Sequence, residues 1–145
     1  MKKVLSAILI VSILCSSLCI TAAASDDLIA PQESAYLSSY MANLEQGSSA
    51  GAINISYMVF AARTGLTQIG VSEIRIYSGG TRVKTIIGTV VNGLMVTNNN
   101  AHYGTYVFHG EPGATYYAVV IVKAMDSAGS DSRHITTNTI VAPTR

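Results

Sequence analysis

The chain has 145 residues, 49% of them hydrophobic and only 12% charged, with a formal net charge of +1. Nine Lys and Arg stand against eight Asp and Glu with no basic run, which argues against nucleic acid or an anionic membrane surface as partner. Both cysteines precede residue 20, so the body of the chain has neither a disulfide framework nor a cysteine-based metal site.

In chain order, Lys2 and Lys3 open a positively charged start, residues 4–20 are apolar with interspersed serines, and Ala22, Ala23 and Ala24 offer small residues for cleavage. That pattern is a secretory signal peptide over residues 1–24. An uncleaved anchor and a lipid attached at Cys15 or Cys19 are the alternatives. Leu14 and Leu18 sit where a lipobox requires a small residue, and cleavage after Ala24 is favoured. The mature protein then has 121 of the 145 residues, seven basic against eight acidic side chains, no thiol, and an extracellular location. That is enough chain for one domain with a sizeable core.

Residues 25–35, with Asp26, Asp27 and Pro31, show no periodicity and read as a lead-in to a domain over residues 36–145. Residues 36–44 fit either one face of a helix or a strand. The strand is favoured because everything downstream is β, and Gly47-Ser48-Ser49 makes a turn. Residues 52–62 alternate: Ile53, Ile55, Tyr57 and Val59 share one face, while Asn54, Ser56, Met58 and Phe60 make the other, polar first and apolar later. Leu66 and Ile69 tuck under the fold from a connection. Residues 73–77 alternate again with Ile74 and Ile76 inward, and Ser78-Gly79-Gly80-Thr81 predicts a hairpin into residues 82–87. Residues 88–96 are apolar but broken by Asn92-Gly93, and can be strand or loop.

Residues 103–109 form a strand, and Pro112-Gly113 supplies a turn. Residues 116–125 are nearly all apolar and rich in β-branched side chains, which marks a central strand. Residues 133–141 close the sheet. About seven strands without a clear helix indicate an all-β, immunoglobulin/fibronectin-type-III-like antiparallel sandwich.

Pro112, Gly113, Ala114, Thr115 and Tyr116, then alternating Ala118, Val120 and Val122, then Ala124 and Asp126-Ser127-Ala128-Gly129, resemble the F-strand region of fibronectin type III domains. The resemblance makes Tyr116 a corner tyrosine whose hydroxyl bonds nearby backbone. The chain departs from that pattern in having no Trp, and in placing Gly110 where a core Leu is expected. More broadly, the signal peptide, the early strands, residues 64–70, 74–77, 116–120 and 129–133 resemble small secreted proteins of Gram-positive bacteria. That similarity implies export and a β fold, and no catalytic residue.

Candidate chemistry is sparse. His102 and His109 lie seven apart on one strand and face opposite sides, so they cannot share a metal. Asp126 and Asp131 bracket a loop with hydroxyls and carbonyls. Calcium held by this pair is weighed against a turn in which the carboxylates serve local backbone, and the turn is favoured. No cofactor motif or nucleophile context occurs. The central strand has one face of Tyr116, Ala118, Val120, Val122 and Ala124. The other consists of Tyr117, Val119, Ile121, Lys123 and Met125, with Lys123 its only charge. A two-layer sandwich buries one face of each sheet. The second face is therefore covered by the N-terminal segment or residues 88–96, or is a contact surface. The expected function is non-enzymatic binding of an extracellular protein, a glycan or other copies of the chain, without membrane contact after cleavage. The alternative is a secreted hydrolase or cell-wall-active protein.

Overall fold

A computed structural model describes residues 34–145. The expected leader, its cysteines and most of the lead-in lie outside the described residues. Among the described residues nine strands follow one another: β1 (Leu37–Gln46), β2 (Ala52–Ala61), β3 (Gln68–Ser78), β4 (Thr81–Ile87), β5 (Met95–Thr97), β6 (Ala101–His109), β7 (Thr115–Met125), β8 (Ser130–Thr136) and β9 (Ile140–Val141). One sheet has the order β1-β2-β6 and the other β4-β3-β7-β8, with every pair antiparallel. The short β5 pairs β3 beyond the reach of β4, and β9 pairs β7 beyond β8. The seven longer strands make the two-sheet antiparallel β-sandwich that the turn spacing predicts.

The core is the alternation made solid. Ile53, Ile55, Tyr57 and Val59 of β2 face Tyr116, Ala118, Val120, Val122 and Ala124 of β7, all buried. In β3 the inward residues are Ile69 and Val71, then Ile74 and Ile76. An extra residue in the β3–β7 pairing between Val71 and Glu73 causes this change of phase, since a bulge moves every later side chain to the opposite face. The Ser78–Thr81 hairpin turns on Gly79 and Gly80, whose φ of 55° and 81° are the positive values a tight primed turn requires.

Residues 36–44 belong to a strand: Leu37 and Leu44 enter the core while Met41 points away, which a single helical face cannot do. Residues 88–96 combine loop and short strand. Leu94 enters the core, and its carbonyl accepts the Val71 N–H at 2.7 Å, while the buried Met95 pairs with Gly70, the β3 neighbour of Lys123. The closing strand is interrupted at residues 137–139. There the Thr137 hydroxyl accepts the Ala118 N–H at 2.9 Å, in place of a ladder carbonyl. Asn138 accepts from the Leu44 N–H at 2.7 Å and donates to the Leu44 carbonyl at 2.9 Å, tying edge strand β1 to the other sheet.

Pro112 and Gly113 form the expected turn, closed by the Ala114 N–H on the Glu111 carbonyl at 3.1 Å. Tyr116 is a corner tyrosine: its hydroxyl accepts the Glu111 N–H at 2.8 Å, and its ring meets Phe108 edge-on at 5.5 Å.

Candidate functional site: the two outer sheet faces

The register of the three-stranded sheet aligns its outward side chains in rows. Met41, Met58 and Tyr103 are cross-strand neighbours, and the adjacent row is Ser39, Phe60 and Ala101. Exposure is 51% for Met41, 38% for Phe60 and 75% for Tyr103, while Met58 between them is half-buried. Beyond these rows the face turns polar, with Asn43, Ser56 and Thr105 in line and the Ser56 and Thr105 hydroxyls 3.4 Å apart. One end of this face is thus a wet apolar patch spanning all three strands. The apolar end of β2's outward face, Met58 and Phe60, was its sequence signal; the register that joins Met41 and Tyr103 to it is tertiary.

The outer face of the six-stranded sheet is organised differently. Tyr117 stacks on Tyr77 of β3, with centroids 4.9 Å apart and rings 5° from parallel. Val119 lies between Arg75 and Thr136, Ile121 between Glu73 and His134, and Lys123 between Gly70 and Ser132. Arg75 donates to Glu73 at 2.7 and 3.1 Å. That hydrogen bond, with Arg82 and His134 adding charge and desolvation opposing, holds the Glu73 carboxyl below its ordinary range. Ile121 is only 7% exposed. The four residues singled out from the sequence therefore share a face, but its apolar stripe is closely bordered by an ion pair and a tyrosine stack.

Asp126 and Asp131 each pair with a different arginine. Both Asp126 oxygens are engaged: Oδ2 pairs with Arg63, and Oδ1 accepts from the Ala128 and Gly129 N–H groups at 2.7 and 3.1 Å and from the Tyr36 hydroxyl at 3.3 Å. Arg63 also lies over the Tyr36 ring, 4.7 Å from its centroid. Asp131 pairs with Arg133 at 3.0 Å. The backbone donors of the loop, followed by Arg63 and Tyr36, lower the Asp126 carboxyl below the usual aspartate range, with desolvation opposing. Such a group stabilises the fold above the unfolded value of about 3.9, and that contribution disappears as pH falls through its lower folded value. Urea midpoints measured between about pH 2 and 6 should fall less steeply on acidification for Asp126→Asn than for the parent. Parallel curves would show that the loop gains nothing from the charge.

His102 and His109 face opposite sides, with an unbroken β2–β6 register between them. The His102 Nε2–H donates to the Gly93 carbonyl at 2.8 Å and lies 3.2 Å from the Tyr57 hydroxyl, whose ionisation burial pushes up. His102 thus closes the β4–β5 loop onto the core. Among the described residues no three His, Cys, Asp or Glu side chains converge on a metal position. Two open depressions, one beside Gln46 and Pro143 and one beside Leu66 and Asn100, bring no acid–base pair together. No family model, curated protein or solved structure matches this chain.

Proposed function

We propose that the protein is an exported, non-enzymatic β-sandwich that binds a partner outside the cell through the outer face of its three-stranded sheet. The observation that carries this reading is the row Met41–Met58–Tyr103 with Phe60 beside it. The outer face of an antiparallel sheet is normally polar, and concentrated apolar exposure on a soluble domain marks a contact surface. Met adapts to irregular partners and Tyr combines a large ring with a polar tip, so the composition suits recognition of a protein or glycan surface. Export rests on the N-terminal sequence pattern, and the intact core gives the surface a rigid support.

The test uses the chain from Ser25 to Arg145 and its Met41→Ser/Tyr103→Ser variant. Both substituted positions are exposed, so circular dichroism and urea midpoints should agree within about 0.5 kcal/mol. Cosedimentation with washed bacterial cells should drop at least tenfold in the variant. Equal binding by both would remove this face from recognition. Release of soluble fragments from purified cell walls would instead favour the hydrolase reading.

A further inference from the structure

We infer that the free edge of β6 is a self-pairing site, through which two copies of the chain join their three-stranded sheets about a twofold axis near Thr105. This deepens the reading above by naming a second copy as one partner of the same sheet.

The phase of the β2–β6 ladder shows which backbone groups are free. The Ala61 N–H donates to the Asn100 carbonyl at 2.8 Å, and the Gly110 N–H to the Gly51 carbonyl at 2.9 Å. Both fall on the register line of the two strands, so the even-numbered residues of β6 bond toward β2. The backbone N–H and C=O groups of Tyr103, Thr105 and Val107 therefore point away from the sheet. Among the described residues β6 pairs with β2 alone. Tyr106 and Phe108 face the core yet remain half-buried, as expected at an unflanked edge.

The other long edges carry features that discourage pairing. β4 bears Arg82 and Lys84 and a bulge near Ile76; β8 bears Asp131 and Arg133; β1 bears Glu45, a bulge near Leu37 and the Asn138 tie. Charges and bulges are the usual protection of edge strands. β6 has nine residues, an unbroken register, no Pro and no Asp, Glu, Lys or Arg.

Its sequence also suits its own copy. In an antiparallel pair centred on Thr105, every outward donor meets an acceptor. Tyr103 lies across from Val107 of the second copy, an aromatic against a β-branched side chain, and both are exposed in the single chain at 75% and 49%. No like charges oppose each other in this arrangement, which is isologous and closes at two copies. At about 3.4 Å per residue the edge is about 30 Å long, and a strip about 10 Å deep buries on the order of 600 Å² in total. That lies below the standard interface of about 1,600 Å², so the dimer is weak and concentration-dependent.

Sedimentation velocity on the chain from Ser25 to Arg145, from about 10 μM to 1 mM, should show a shift from monomer to dimer. Thr105→Pro removes a donor that β2 does not use, and an edge position with its N–H outward tolerates proline. Thr105→Lys keeps the donor but sets two like charges across the axis. Each should raise the dimer dissociation constant at least tenfold, and Met41→Ser should leave it unchanged. If Thr105→Pro fails to fold, Thr105→Lys decides. A parent that stays monomeric at 1 mM, or Thr105 variants that dimerise like the parent, overturns the proposal. Dimerisation lost through Met41→Ser rather than Thr105→Lys moves self-contact to the sheet face. Cell binding lost through Met41→Ser alone, with dimerisation intact, separates the two readings, since Tyr103 belongs to both contacts.

Discussion

Gly110→Ala is expected to destabilise the domain by about 2–4 kcal/mol. A Cβ at this position would stand 2.6 Å from Cζ, 2.7 Å from the hydroxyl oxygen and 2.8 Å from Cε2 of Tyr116. A flexible side-chain end could yield, but this ring is held by the Glu111 N–H at its tip and by Phe108 at its side. Overpacking costs about 1–3 kcal/mol, and displacing the ring also endangers a hydrogen bond worth about 1 kcal/mol. Tyr116→Phe alone should cost about 1 kcal/mol, the share of that bond. The two positions should be coupled. In a Tyr116→Ala background, where the obstruction is gone, Gly110→Ala should be within about 0.5 kcal/mol of neutral. Urea midpoints of the four proteins test this. An undiminished cost in the Tyr116→Ala background would place the constraint in the backbone rather than the ring.

Why position 110 is a glycine was not legible in the sequence, since the Tyr116 ring reaches it only across the Pro112-Gly113 turn. Local chemistry made other parts readable. The β2 alternation, the Gly79-Gly80 hairpin, the Pro112-Gly113 turn and the β-branched run in β7 each depend on residues within a few positions of one another. What escaped reading depends on distant partners. Asn138 binds Leu44, 94 positions away, and nothing near either residue announces it. Residues 88–96 follow no period because Leu94 fills a gap between sheets while Asn92 folds the turn around itself, accepting from the Thr89 N–H at 2.9 Å and donating to the Ile87 carbonyl at 2.8 Å. The apolar patch has half its signal in β2 alone; Met41 and Tyr103 join it only through register. For Asp126, the loop composition left both a cation site and a self-satisfied turn open; that Arg63, 63 positions away, joins two backbone donors on its carboxylate could not be read from the loop.

Within the central strand, Val120→Ala should cost about 2–3 kcal/mol. Val120 is fully buried, and its register partners Ile74 and Ile135 also belong to the core or pack against it. Two methyl groups removed from water are worth about 0.8 kcal/mol each, and a cavity in a tightly packed layer adds to that. Val119, one residue earlier, points out between Arg75 and Thr136 and is half-buried, so Val119→Ala should cost less than about 1 kcal/mol. Ile121 is the informative third member. It points out with Val119, yet it is nearly as hidden as the core, between the long side chain of Glu73 and the ring of His134. Long polar side chains can cover apolar surface with their stems while keeping their charged heads in water. If Glu73 and His134 provide that cover, Ile121→Ala costs about 2 kcal/mol, and Ile121→Lys destabilises the fold instead of merely removing a contact. Urea denaturation of the three alanine variants should therefore rank Val120 first, Ile121 second and Val119 last. A cost for Ile121→Ala no greater than that of Val119→Ala would show this face to be open, and would return Tyr117, Val119, Ile121 and Lys123 to the set of contact surfaces.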